Sequence, residues 1–149
     1  MKLLAKNKKA FHDYEIIKKF VAGIALTGSE VKAIRNGQAN LRDSFIRIVN
    51  EEAFIWNMSV SKYKFSTEKD YDPYRTRKLL LHKKQIHELM GAIEQRGLTV
   101  VPLAIFIQNN KIKVEIAIVR GLKKYDKREK EKKRAIKRKI DRAKRLTMV

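Results

Sequence analysis

The chain has 149 residues, 44% of them apolar, which is enough for one packed domain and excludes a wholly disordered protein. It carries 36 Lys and Arg against 16 Asp and Glu, a formal net charge of +20, so the folded chain repels itself and gains from a polyanionic partner. It has no cysteine, which excludes disulfides, zinc ribbons and thiol chemistry.

The N-terminal Met1-Lys2-Leu3-Leu4-Ala5-Lys6 has too short an apolar run for a signal peptide. No stretch approaches the roughly 18 apolar residues of a membrane span. The expectation is a cytoplasmic protein without a membrane partner. Asn7-Lys8-Lys9-Ala10 then places charge just ahead of the first clear strand signal. Tyr14 to Leu26 mixes β-branched and aromatic residues and reads as that strand, with Gly23 as a bulge or bend. Thr27-Gly28-Ser29 reads as a turn, with Ser29 capping a short helix from Glu30 to Arg35 that Asn36-Gly37 stops. On that helix Lys32 and Arg35 are three apart and expected on one side.

Phe45, Ile46, Ile48 and Val49 form the next strand signal; Asn50-Glu51-Glu52 turns the chain, and Ala53 to Val60 returns. Lys62 to Tyr74 is polar and reads as a loop. Arg75, Arg77 and Lys78 then offer phosphate contacts ahead of Leu79-Leu80-Leu81-His82, a triplet whose members cannot all pack on one face of a strand. Ile86, Leu89, Met90 and Ile93 fall on one face of a helix ended by Arg96-Gly97. Two long strands follow, Thr99 to Gln108 and Lys111 to Arg120, joined by Asn109-Asn110, a pair that tolerates the positive φ of a tight hairpin. Lys111, Lys113 and Glu115 alternate with Ile112, Val114 and Ile116, one face wet and one buried.

From Arg120 onward the composition changes. The last thirty residues hold 15 Lys and Arg against 4 Asp and Glu, so one fifth of the chain carries +11 of the net charge. Ile136, Ile140 and Ala143 recur at helical spacing among cations such as Lys137 and Arg138, as in a tail that folds on RNA. Tyr125 lies among Lys123, Lys124, Lys127 and Arg128, placed to stack on a base.

The fold expected is therefore mainly β with two helices. A small OB-fold-like β-barrel spans residues 1–120, and a basic C-terminal tail over 121–149 becomes helical when bound. Nothing points to catalysis. His82 and His87 lie about 140° apart around a helix. The glycines are isolated and form no phosphate loop, and Glu51-Glu52 is a solvated turn. No metal or cofactor is expected.

Five segments in order resemble small protein B, the bacterial factor that binds transfer-messenger RNA. They are Asn7-Lys8-Lys9-Ala10, Ala22-Gly23-Ile24-Ala25-Leu26, Gly28-Ser29-Glu30-Val31-Lys32, Asp72-Pro73 with Arg75 through His82, and Gly121 through Lys124-Tyr125-Asp126-Lys127-Arg128. Val21 stands where that family usually has a glutamate, and Leu122 where it usually has a lysine. The resemblance implies a factor, monomeric when free, that grips the tRNA-like domain of transfer-messenger RNA (tmRNA). It delivers that RNA to stalled ribosomes for rescue by trans-translation, and itself breaks no bond. It stands in for the missing anticodon stem-loop, with its tail in the decoding centre and mRNA channel of the small subunit.

The resemblance further implies an RNA-binding surface of Asn7, Lys8, Lys9, Glu30, Lys32, Arg35, Lys78 and Leu80. Glu30 would orient a basic neighbour or accept from a base or 2′-hydroxyl. The ribosome-facing tail would comprise Lys123, Lys124, Tyr125, Asp126, Lys127, Arg128, Ile136, Lys137, Arg138 and Ile140. Two other readings fit the composition: a permanent ribosomal protein, stoichiometric with the subunit, and an RNA-cleaving enzyme, which would need the clustered acids or His pair that the sequence lacks.

Overall fold

The computed structural model describes residues 1–122, 132 and 134–139. Along the chain run β1 (Lys2–Lys6), α1 (Lys8–Asp13), β2 (Tyr14–Ile24), α2 (Gly28–Arg35), β3 (Ala39–Asn40), β4 (Phe45–Val49) and β5 (Glu52–Trp56). They are followed by β6 (Ser59–Val60), β7 (Arg77–Leu80), α3 (Lys83–Ile93), β8 (Leu98–Gln108) and β9 (Lys111–Gly121). Seven strands make one antiparallel sheet in the order β1-β8-β9-β2-β7-β5-β4, and β3 pairs with β6 in a small ribbon. The sheet curls until β4 lies against β8 and β1 against β3, which makes a partly closed barrel of the mainly β kind expected.

Inward-pointing residues fill the barrel. Ala22, Ile46, Ile55, Leu79, Ile105, Val114 and Ile116 are almost wholly buried, with Ala33 and Ile34 of α2 and Leu89 of α3 packed against them. On α3 the buried face runs through Ile86, Leu89 and Ala92, while Ile93, expected inside, is exposed. A second apolar cluster lies on the other side of β8 and β9. There Ala10 of α1, with Phe11 packed beside it, covers Val101, Leu103, Ala117 and Val119. This explains why the one-face-wet alternation of Lys111 to Ile116 gives way to a continuous buried run, Ile116 to Val119. Past Ile116 both faces of the sheet are covered.

Turn chemistry sets the register. Asn109 and Asn110 both have positive φ, 50° and 63°, and close the β8–β9 hairpin. Asn50 and Glu51, at 51° and 60°, close β4–β5. The expected single strand from Ala53 to Val60 breaks at Asn57, whose φ of 61° turns the chain so that β6 leaves the main sheet and pairs with β3. Gly23 is not the bulge of β2; the register slips between Ile16 and Lys18, and Gly23 stays in the ladder. A Cβ there would come within 3.2 Å of Leu80 Cβ on the neighbouring strand, so glycine permits a close approach.

Three elements were not anticipated: β1, α1 and the two-residue β3. Asn7 makes the helix possible. Its Oδ1 accepts from Ala10 N at 3.2 Å as an N-cap, and its Nδ2 donates to Pro102 O at 2.9 Å. Leu89→Ala should lower unfolding free energy by about 2–5 kcal/mol, since it empties a fully buried site between α3 and the sheet. Urea titration with an unchanged m-value checks it.

Candidate nucleic-acid interface

The cap of α2 is the Thr27-Gly28-Ser29-Glu30 sequence itself. Thr27 Oγ1 accepts from Glu30 N at 3.3 Å, and Glu30 Oε1 accepts from Thr27 N at 2.9 Å. The cap is therefore Thr27 and not Ser29, because only Thr27 sits three residues before an acid that can return the bond. Glu30 is 1% exposed, and its carboxylate is the junction of a buried network. Arg75 Nη2 donates to Oε1 at 2.5 Å, and Arg77 Nε donates to Oε2 at 2.6 Å. Arg77, fully buried, also donates through Nη1 to Met58 O at 2.8 Å and Arg75 O at 2.9 Å, and through Nη2 to Pro73 O at 3.2 Å. Burial pushes the Glu30 carboxyl upward, but Arg75, the Thr27 N–H and Arg77 outweigh it and hold the group below its ordinary range.

Arg77 is thus not a phosphate ligand. Every part of its guanidinium is committed to the interior, where it ties α2 to both ends of the segment between β5 and β7. Arg75 is partly exposed and pairs with the same carboxylate from the surface side. Lys78 and Leu80 point the opposite way from Arg77 and Leu79, so strand parity puts one basic and one apolar side chain outside. Of the leucine triplet, Leu79 is buried, Leu81 packs against the core and Leu80 is 55% exposed.

Leu80 lies across from Gly23, and Gly23 across from Lys113, in one row over β7, β2 and β9. Two shallow depressions meet at that row. One is bordered by Val21, Lys78 and His82, the other by Val31, Arg35, Asn110 and Lys111, and both share Gly23, Leu80 and Lys113. Together they form a groove with an apolar floor and a rim of four cations, Arg35, Lys78, Lys111 and Lys113, with the carboxylates of Glu51 and Glu52 at its β5 end. Arg35 Nη2 donates to Asn110 O at 3.3 Å, which fixes the guanidinium at the hairpin end. Among the described residues Lys111 and Lys113 make no ion pair, whereas Lys78 meets Glu52 at 3.3 Å.

The structure brings Arg35, Lys78 and Leu80 together at this groove. Glu30 lies behind it, with both carboxylate oxygens already occupied by protein donors. Lys32, on the same helix as Arg35, sits over the Tyr63 ring, 5.5 Å from the centroid, and is not part of the groove lining. Asn7 is buried as a cap. Lys8 is exposed on α1, and Lys9 pairs with Asp43 at 2.9 Å, both away from the groove lining. Lys111 and Lys113 were read only as a wet face, since no sequence signal places β9 beside Gly23. In the tail, Ile136, Lys137 and Arg138 are exposed on the helical segment 134–139, whose Arg134 Nη2 donates to Phe11 O at 3.3 Å. Lys123, Lys124, Tyr125, Asp126, Lys127, Arg128, Ile140 and Ala143 lie outside the described residues. Among the described residues no cluster of His, Asp and Glu could hold a metal ion, and no helix is long and apolar enough to cross a membrane.

Residues 4–146 match the family model for the SmpB protein. An SsrA-binding protein of Persephonella marina is 52% identical over 140 residues, covering 94% of this chain and 92% of the relative. One from Geobacillus kaustophilus is 48% identical over 142 residues, covering 95% and 92%. A solved chain from work described as "tmRNA-SmpB: a journey to the center of the bacterial ribosome" superposes with a TM-score of 0.67 at 40% identity, covering 83% of this chain and 91% of that one.

The buried network sets an acid limit on the fold. A carboxylate held below its ordinary value of 4.5 adds stability above that value and loses it as pH falls through the depressed one. Glu30→Gln leaves the Arg77 charge buried without its counter-ion and should cost about 3–5 kcal/mol at neutral pH. The same substitution should flatten the loss of stability below pH 4.5. Thermal melts of both chains across that range measure it; parallel pH profiles would remove Glu30 as the titrating group.

Proposed function

Because the chain belongs to the SmpB protein family, we propose that it binds transfer-messenger RNA and delivers it to stalled ribosomes for rescue by trans-translation. The observation that carries this is the groove of Arg35, Lys78, Leu80, Lys111 and Lys113 on the outside of a barrel, an apolar floor whose rim has four cations against the two carboxylates of Glu51 and Glu52. Such a surface suits a folded RNA, whose phosphates meet the rim while a sugar or base edge packs on Leu80.

Residues 1–120 are the RNA-gripping module and 121–149 the part that enters the decoding centre and mRNA channel in place of an anticodon stem-loop. The charge break at Arg120 supports that division. Glu30 acts by holding Arg75 at the surface, the first of its two expected roles. Both of its oxygens are already taken, so none is left for a base. Lys8, Lys9 and Lys32 lie outside the groove and supply further phosphate contacts where the RNA extends past it, and Asn7 serves by capping the helix that presents the first two. The protein is a binding factor and not an enzyme; it needs no cofactor, acts in the cytoplasm and is monomeric when free.

A gel-shift titration against the tRNA-like domain tests the reading, with ordinary tRNA as competitor at about 50 and about 200 mM salt. Binding that survives competitor and the higher salt is expected, because shape and base contacts persist when the phosphate attraction is screened. Equal binding to both RNAs, collapsing with salt, would instead mark a generic basic protein. Leu80→Asp should weaken the specific complex about tenfold or more by setting a carboxylate against phosphate. A chain ending at Leu122 should fold and bind the tRNA-like domain, yet fail to support tagging in a reconstituted translation assay. Normal tagging by that chain would sink the assignment of the tail.

A further inference from the structure

Outside the groove, the outward face of β4 and β5 carries aromatic residues that the barrel does not bury. Strand parity sends Ile46, Ala53 and Ile55 into the core and leaves Phe45, Arg47, Phe54 and Trp56 outside. Phe45 and Trp56 face each other across the two strands, their rings 7° from parallel with centroids 6.4 Å apart. The Arg47 guanidinium carbon lies 5.2 Å from the first centroid and 5.5 Å from the second. Trp56 is 37% exposed, and its indole N–H has no hydrogen bond among the described residues. Arg47, likewise among the described residues, meets no carboxylate, unlike Lys9, Lys18, Lys19 and Lys78.

Two near-parallel rings and an unneutralised guanidinium make a rigid surface that suits a planar, electron-rich ring with an anion beside it. The face is continuous with the groove. Arg47 pairs across the sheet with Phe54, and Phe54 with Lys78, so Arg47 and Lys78 stand two strands apart, about 10 Å. We propose that Phe45, Arg47 and Trp56 form a stacking platform for an unpaired nucleobase of the RNA that occupies the groove, with Arg47 also meeting the flanking phosphate. This rests on the RNA-binding reading above. A cross-strand aromatic pair also steadies a hairpin, but that role alone leaves RNA affinity untouched.

Trp56 is the single tryptophan, so it reports its own environment. The full chain is titrated with the tRNA-like domain while its emission and a parallel gel shift are followed. Quenching that saturates together with the shift is expected. Phe45→Leu should weaken binding about fivefold or more without changing the salt slope, because stacking is not a counter-ion effect. Arg47→Ala should weaken it and lower the salt slope by about one phosphate. Thermal melts confirm that both variants fold. A normal shift with constant emission and unchanged affinity in both variants overturns the platform and leaves the RNA-binding reading standing. Absence of any shift overturns that reading first. Quenching that grows with protein concentration alone makes the face a contact between copies and also overturns the proposal.

Discussion

The buried pair of Glu30 and Arg77 is the constraint on which the rest of the surface depends. Both side chains are out of water, and neither is tolerable there without the other. Their geometry satisfies the whole guanidinium: one carboxylate and three backbone carbonyls, from Met58, Pro73 and Arg75. Those carbonyls belong to the two ends of a long connection with little regular structure. The pair therefore closes that loop, and Tyr71, donating to Val60 O at 2.7 Å, tightens the same closure. Without it, β7 would lose its entry angle, and with it the direction in which Lys78 and Leu80 point.

Helix α2 carries this constraint outward. At its first turn Glu30 reaches the interior network; two residues on, Lys32 lies over Tyr63 in the long loop; at the helix end Arg35 reaches the carbonyl of Asn110 in the β8–β9 hairpin. One short helix thus contacts loop, hairpin and strand. The capping box that starts it shares an oxygen, Glu30 Oε1, with Arg75. Local helix formation and tertiary placement are coupled through a single carboxylate.

Much of the fold was legible because its signals are local. The Asn109-Asn110 hairpin, the long loop and the mainly β class follow from turn chemistry and alternation. The misses have physical causes. The helix α1 is six residues long and owes its existence to Asn7 reaching Pro102, ninety-five residues away, a bond no local pattern announces. The strand expected through Val60 ends early because an asparagine adopts positive φ, which a run of β-formers conceals. Ser29 and Thr27 are equally good caps by type, and only the spacing to Glu30 separates them. At the site, Arg77 and Lys78 look alike in sequence as neighbouring cations. One residue of strand parity makes the first a buried structural ion and the second a surface contact. Lys111 and Lys113 were unreadable as site residues because the groove is made by pairing β9 with β2 and β2 with β7, a purely tertiary fact.

That division of labour separates folding from binding. The charges inside, Glu30 and Arg77, are spent on stability, and changing either alters the fold before any contact with a partner. The charges at the groove rim are different. Lys111 and Lys113 have no ion pair among the described residues, and Lys78 has one exposed partner. Exposed pairs contribute little, typically less than about 1 kcal/mol. Their loss leaves the barrel intact, while their potential remains available to a polyanion. The same holds for Leu80, which is exposed at some hydrophobic cost and lies across from Gly23. A chain of net charge +20 destabilises itself by self-repulsion, and that cost falls when RNA neutralises the rim. Binding energy at this surface can thus change with hardly any change in the free energy of folding, because the two draw on different residues: Glu30 and Arg77 inside, the rim cations and Leu80 outside.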